Sequence, residues 1–381
     1  MRLSRSFLTA IGLLTLLHAY IGLRLLPDLP VGDAVRAFGV VLLAFSCATV
    51  PLGVMSRSAR RPAWSDHLKL TGLLMMGLFS SLLVFTVLRD VALLAALWVV
   101  PTIEREAVTQ ASAVIAAALA GFATLVGFMN ARRRARVVTV EIPLPNLPEA
   151  LHGFSIVQIS DIHVGPTIRR PYVEAIVNAV NGLKADLVAV TGDLVDGGVE
   201  ELAEHVEPLA RLSAVHGAYF VTGNHEYYSG ERAWTREFTR LGLRVLKNEH
   251  VVLEHRGVKL VVAGVTDFSA HQFNPAERSD PGAALQGAPQ DAGAKLLLAH
   301  QPRSAFAAAA AGFDLQISGH THGGQFWPWT LFVRFQQPFT AGLHRLDGML
   351  VYTSRGTGYW GPPKRFGAPS EITVLRLVRA S

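Results

Sequence analysis

The chain has 381 residues, half of them hydrophobic and 17% charged, with a mean hydropathy of +0.32. A soluble domain carries about 25% charged residues, so part of this chain is not ordinary soluble sequence. Its apolar content excludes disorder as the main state, and its one cysteine, Cys47, excludes a disulfide framework. The net charge of +6 is unevenly spread. Residues 1–130 hold ten basic and six acidic residues, 131–136 four arginines and no acid, and 137–381 21 basic against 23 acidic. The C-terminal two-thirds therefore lack the basic face that phosphate neutralisation needs, and no nucleic-acid partner is expected.

Four uncharged runs, 6–23, 37–56, 70–88 and 107–131, are 18, 20, 19 and 25 residues long. A hydrocarbon core about 30 Å thick takes about 20 helical residues, and soluble helices show a polar stripe that these runs lack. They predict a transmembrane region of four helices over 1–131. A fifth apolar stretch, 91–103, is too short to span and extends the third helix or lies at the interface. The start Ser4-Arg5-Ser6-Phe7-Leu8 only faintly resembles an export signal, without an adjacent arginine pair. Arg2 and Arg5, then Arg57, Arg60, Arg61 and Lys69, then Arg132, Arg133, Arg134 and Arg136 all fall on one side of an even number of spans. The positive-inside rule makes that side the cytoplasm. The expectation is a multi-pass protein of the inner (cytoplasmic) membrane with a cytoplasmic catalytic domain.

Residues 132–150 read as a basic flank and a Pro-rich linker, with Pro143, Pro145 and Pro148. Beyond them, short apolar runs alternate with helical stretches: strands at 154–160, 186–191 and 218–222, helices at 171–183, 199–214 and 231–241. A hairpin follows at 251–263 around Arg256-Gly257. Strands at 295–299, 315–318, 350–353 and 372–377 enclose a helix at 303–311. This order predicts an α/β fold with mixed sheets in a catalytic domain over 151–381.

Polar motifs stand where five of these strands stop: Ser160-Asp161-Ile162-His163, Thr191-Gly192-Asp193, Thr222-Gly223-Asn224-His225-Glu226, Ala299-His300 and Ser318-Gly319-His320-Thr321-His322-Gly323-Gly324. Functional groups of open α/β sheets gather at carboxyl ends of strands. The residue types suit two cations. Asp193 can bridge, Asp161 with His163 and His320 with His322 can each reach an ion, and Asn224 offers a neutral carbonyl oxygen. Oxygen and nitrogen ligation without thiolate points to Mn, Fe or Zn. The other histidines, such as His152, His205, His250 and His344, read as surface or packing residues. His271, in a polar loop, is ambiguous.

The motif order resembles the calcineurin-like metallophosphoesterase superfamily over 150–381. It is most similar to a membrane-anchored bacterial phosphodiesterase subgroup, through 319–325 and through Tyr352-Thr353-Ser354-Arg355-Gly356-Thr357-Gly358 followed by Pro362, Pro363, Arg365, Phe366 and Pro369-Ser370-Glu371-Ile372. Some members of that subgroup are UDP-2,3-diacylglucosamine hydrolases of lipid A biosynthesis. The resemblance implies a four-layer α-β-β-α metallophosphoesterase sandwich behind the transmembrane region. It also implies two divalent metal ions. Asp161, His163 and His322 would hold one metal, Asn224, His300 and His320 the other, and Asp193 would bridge. His225 would be the catalytic residue that stabilises the transition state or protonates the leaving oxygen. Arg355 is a candidate substrate-binding clamp, with a structural salt bridge as the alternative. The polar loop 267–291 departs from the pattern and bears on substrate size.

These features point to a membrane-anchored hydrolase that uses metal-activated hydroxide on a phosphodiester or phosphoanhydride, with a lipid-linked substrate such as UDP-2,3-diacylglucosamine as one candidate. A nuclease or nucleotide phosphodiesterase is a second reading, and a non-enzymatic membrane sensor or scaffold a third. Partners are a phosphoester substrate and the lipid bilayer. Trp327, Trp329, Phe332 and Phe335 follow the last motif; they read either as sheet core or as an apolar wall for acyl chains.

Overall fold

The computed structural model describes residues 5–55 and 64–380. Arg2, Arg57, Arg60 and Arg61 of the orientation argument lie outside the described residues, as does Ser4 of the export-signal likeness. The chain divides into two compact units: 1–130 with Gly361–Phe366, and 131–360 with 367–381.

In the first unit, α1 (Arg5–Leu25), α2 (Asp33–Met55), α3 (Trp64–Ala96) and α4 (Arg105–Arg132) are each long and apolar enough to cross a membrane. The third run continues as α3 to Ala96, so part of the stretch 91–103 extends that helix. Ile21, Leu25, Ala113 and Ala116 form a small buried cluster with Phe79 and Leu83 packed against it. Several buried polar groups here are paired, as an apolar surrounding favours. Arg89, buried, donates to Asp28, Ser112 Oγ and the carbonyls of Arg24 and Thr109. His18 Nε2 lies 3.0 Å from Ser46 Oγ. The segment Gly361–Phe366 belongs to this unit. Lys364 Nζ donates to Gly77 O at 3.0 Å and Ser81 Oγ at 2.5 Å, and a Cβ at Gly127 would run into the Lys364 stem.

The second unit holds two six-stranded sheets. In chain order its elements are β1 (Arg136–Leu144), β2 (Ser155–Ile159), α5 (Arg170–Gly182), β3 (Leu187–Val190), α6 (Val199–Val206), β4 (Ala218–Phe220), α7 (Asn224–Ser229), α8 (Glu231–Arg240), β5 (Arg244–Val245), β6 (Glu249–His255), β7 (Val258–Gly264), α9 (Pro281–Ala284), β8 (Ala294–Leu298), α10 (Ala305–Ala311), β9 (Leu315–Ser318), β10 (Gly342–Leu346), β11 (Met349–Thr353) and β12 (Glu371–Arg379). One sheet runs β1-β12-β2-β3-β4-β5, the other β10-β11-β9-β8-β7-β6. Strands β2 to β5 are mutually parallel, as are β7, β8, β9 and β11.

Three apolar layers make the four-layer α-β-β-α sandwich. Ile156, Leu187, Val221, Leu296, Ile317 and Leu375 fill the space between the sheets. Val157, Val188 and Phe220 face α5, α6 and α8 through Val173, Leu202 and Trp234. Leu297, Ala299 and Val351 face α9 and α10. Strands covered on both faces tend to read as unbroken apolar runs, which is why Leu187–Val190 could be located without a structure.

The region 132–150, expected as flank and linker, is mostly ordered. β1 lies parallel to β12 in register Ile142↔Leu377, and 149–151 forms a short 3₁₀ turn. Pro143 is accommodated because β1 is an edge strand, where a missing donor is tolerated. The stretch 199–214 is not one helix: α6 ends at Val206 and a 3₁₀ turn, Glu207–Arg211, follows with Pro208 inside its start. The four aromatics after the last motif are not sheet core. They lie on and beside two 3₁₀ turns at the surface, Trp329–Leu331 and Val333–Phe335.

Candidate metal centre

The parallel strands β2, β3, β4, β8 and β9 each deliver one motif at their carboxyl ends. Five candidate ligands adopt left-handed backbone there: Asp161, His163, Asp193, His320 and His322 have φ between 51° and 72°. Such a conformation costs about 1–2 kcal/mol at a non-glycine residue, and clusters of it mark functional loops. Neighbouring glycines make the crowding possible. A Cβ at Gly223 would overlap Asp193, and one at Gly319 would overlap Ser160 Oγ and Asp161 Oδ2.

Three groups of side chains converge, each with its ligand atoms within 4.8 Å of one another: Asp161, His163 and His322; Asp193, His300 and His320; and His163, Asp193 and His225. His163 Nε2 and His322 Nε2 face each other at 3.0 Å, and His322 Nε2 lies 3.5 Å from Asp161 Oδ1. On the other side His320 Nδ1 is 3.2 Å from His300 Nε2, which is 3.1 Å from Asp193 Oδ2. The structure thus brings together Asp161, His163, Asp193, His300, His320 and His322, with His225 Nε2 4.0 Å from Asp193 Oδ2. Asn224 is buried at the start of α7, and its Oδ1 accepts no hydrogen bond.

This donor set fits divalent cations. An orphaned buried carbonyl oxygen is costly without a partner, and imidazole nitrogens 3.0 Å apart repel unless a proton or cation sits between them. The tautomers agree. His300 Nδ1 donates to Thr191 O at 2.7 Å and His163 Nδ1 to Asp196 Oδ1 at 3.0 Å, which leaves each Nε2 as a lone pair pointing inward.

Burial would raise the Asp193 carboxyl, but the imidazoles of His300, His225 and His163 outweigh it and hold it well below the usual carboxylate range. At Asp161 burial prevails and the pKa is raised. Burial and the nearby His300 push His320 down to about 3. His225 moves the other way. Its burial is outweighed by Asp193 and Asp196, which lift it to about 9.

Two residues of this site carry no role in the sequence reading. Asp196, three residues beyond Asp193, accepts from His163 Nδ1 and also from His225 Nδ1 at 2.5 Å. Glu226 is fully buried and accepts from Gly223 N, Asp193 N and Leu194 N at 2.7–2.9 Å. Their signals, a second Asp after Gly-Asp and the Glu that closes Gly-Asn-His-Glu, are both present in the sequence. Arg355 packs against Gly323, and its Nη1 donates to the buried Glu371 at 3.0 Å. His271 is half-buried, with Nδ1 3.1 Å from Phe268 O. Asp267 at the head of the loop 267–291 is buried, accepting from Gln301 and Ser269.

Residues 154–324 match the family model described as calcineurin-like phosphoesterase. A Danio rerio relative named "Transmembrane protein with metallophosphoesterase domain" is 38% identical over 275 residues, covering 70% of this chain and 63% of that one. The chain thus spans less than two-thirds of that relative. An uncharacterised metallophosphoesterase of Aquifex aeolicus is 32% identical over 64% of this chain and 91% of its own length. Among solved structures, a 5'-nucleotidase precursor from Thermus thermophilus aligns with a TM-score of 0.39 and 14% identity, over 59% of this chain and 54% of that one. The family model spans all five strand-end motifs and the Aquifex relative is matched over most of its length, so the chain belongs to the calcineurin-like metallophosphoesterase family.

Proposed function

We propose that this protein is a membrane-anchored phosphoesterase that works with two divalent cations on a phosphodiester or phosphoanhydride. The family implies a phosphoester hydrolase; the substrate, the metal count and the residue roles are our reading. The observation that carries it is the convergence of nitrogen–carboxylate groups that share His163 and Asp193, together with the buried, unpartnered Oδ1 of Asn224, the residue before His225. Asp161, His163 and His322 would hold one cation, and Asn224, His300 and His320 the second, with Asp193 shared. Bound there, the pair would supply Lewis-acid polarisation of a phosphoryl oxygen and a nucleophile at neutral pH.

The chain's own residues do the rest. Asp196 holds His225 by Nδ1, so a protonated His225 presents Nε2–H towards charge developing on a phosphoryl or leaving-group oxygen. We assign Arg355, beside the His322 turn, as a phosphate contact that it combines with its ion pair to Glu371. A lipid-linked substrate is supported by the four apolar helices, which keep the centre in a molecule that lives in the bilayer. A cytoplasmic site in the inner membrane follows from the arginine distribution.

The test is metal analysis of the purified full chain, coupled to turnover of phosphodiesters, nucleotides and an acylated UDP-glucosamine. The native protein should carry about two cations per chain. Asp193→Ala should lose cations and all turnover. Full metal content with retained activity in that variant would refute the two-metal assignment. Faster turnover of a soluble nucleotide than of the acylated substrate would refute the lipid-linked reading.

A further inference from the structure

Residues 326–340 contain four phenylalanines, two tryptophans, one leucine and one valine with a single charge, Arg334, and no acid. A segment of that composition would normally be buried, yet here only Phe326 and Gln337 are. Trp327 is 36% exposed, Trp329, Leu331 and Phe332 between 44% and 52%, and Phe335 75%. Among the described residues of 131–381 there are thirteen exposed large apolar side chains, and five lie within the nine positions 327–335. Trp360 is a sixth. It is 45% exposed, and its backbone is pinned by two hydrogen bonds to the Gln325 side chain, each 2.8 Å.

The patch is built rather than loose. The turn Trp329–Leu331 packs so closely on the last motif that a Cβ at Gly324 would overlap the Thr330 backbone. Thr321 Oγ1 donates to Thr340 O at 2.6 Å, which closes the segment at its far end. The rings stand in a row, with Trp329, Phe332 and Phe335 at centroid spacings of 5.7 and 6.4 Å. The Arg334 guanidinium sits 5.3 Å over the Phe335 ring.

We infer that this aromatic lip inserts into the headgroup–acyl boundary of a bilayer. Trp and Phe beside a cation are the composition that settles at that boundary, with rings among the upper acyl carbons and the charge at the phosphates. The absence of any acid in the segment leaves Arg334 complementary to anionic headgroups. The four spanning helices of the same chain supply the lipid at a high effective concentration, so a weak intrinsic affinity suffices. The lip abuts the turn that carries His320 and His322, so insertion would bring headgroup phosphates towards the metal centre. Binding of this kind does not depend on which reaction the centre performs.

The test uses the full chain in nanodiscs of phosphatidylcholine and phosphatidylglycerol. In a Cys47→Ser background, a nitroxide is placed at Leu331→Cys, at Phe335→Cys, and at Val215→Cys, an exposed position remote in sequence. Power saturation should give oxygen accessibility above that of a water-soluble nickel chelate at 331 and 335, and the reverse at 215. Water-like readings at all three positions would overturn the inference. Dipolar broadening at 331 or 335 that vanishes on dilution with unlabelled protein would overturn it too, because a second copy would then cover the patch. An unlabelled check is bromolipid quenching: Trp329→Phe should reduce the quenchable share of tryptophan fluorescence, and an unchanged share would count against insertion. No arm requires turnover or bound metal, so a failure here is distinct from a failure of the proposed reaction.

Discussion

At Asp196 one carboxylate oxygen accepts from two imidazoles, His163 Nδ1 at 3.0 Å and His225 Nδ1 at 2.5 Å. Burial would raise this carboxyl, but the two imidazoles hold it well below the usual carboxylate range. Asp196→Asn keeps the size but loses the charge that orients both rings. It should lower kcat/KM roughly 10–100-fold, the range for residues that position ligands, and lower the alkaline limit of the rate profile because His225 loses a source of its raised pKa. His225→Ala should cost more, on the order of 10²–10⁴-fold, with cation content nearly intact. Metal loss in that variant would make His225 a ligand, as its place in one of the three converging groups allows. The metal-stripped protein should also respond to pH. His225 is raised from 6.5 to about 9 and Glu226 from 4.5 to about 8, the latter by burial and by Asp193. Each binds its proton more tightly folded than unfolded, so the stabilisation is complete below the unfolded value and lost as pH rises through the folded one. The thermal midpoint of the stripped protein should therefore fall as pH rises from about 7 to about 9. The metal-loaded protein should fall less, since cation charge beside His225 and Glu226 leaves their pKa values less raised than in the stripped protein, and equal slopes would refute the account.

The elements that carry the site are short strands whose ends are stitched by Glu226. Its Oε2 accepts from Gly223 N and Asp193 N, and its Oε1 from Leu194 N. The loop after β3 and the loop after β4 are therefore locked to one carboxyl group at the base of α7. Glu226→Ala leaves three buried amides without an acceptor. The expected loss is on the order of 3 kcal/mol, the scale for stranded buried donors. Cation affinity should fall with it, because Asp193 sits on the loosened loop. Denaturation curves with and without added cation check both parts. A stable variant with native affinity would show that strand pairing alone sets the loop geometry.

Across the whole molecule, the topology is the prediction most open to a direct check. In the proposed topology four spans would put both termini on one side, and the arginine-rich segments of the sequence would make that side cytoplasmic. A reporter enzyme that is active only outside the cytoplasm, fused after Ser381, should stay silent. A strong signal would reverse the orientation and put the phosphoesterase unit on the other face. The helices are also more than a leash in sequence terms, since six residues from far along the chain, Gly361–Phe366, fold with them.

What the sequence by itself determined follows from local regularities. Each spanning helix is an uncharged run of sufficient length. The doubly covered strands are mostly apolar stretches of four or five residues, wholly so at Leu187–Val190. Each metal-ligating candidate stands directly after such a strand, which is why Asp161, His163, Asp193, Asn224, His300, His320 and His322 could be named together. What only the tertiary structure decided depends on pairing between distant segments or on exposure, neither of which leaves a local period. Nothing near Arg136–Leu144 shows that its parallel partner begins at Glu371. Nothing near Lys364 shows that its ammonium ends between Gly77 and Ser81. The aromatics at 327–335 have the composition of a core, and only the packing places them at the surface. Asp196 and Glu226 reveal their roles only once the strand-end loops are folded side by side, because a carboxylate that orients others is defined by what it meets and not by its own spacing.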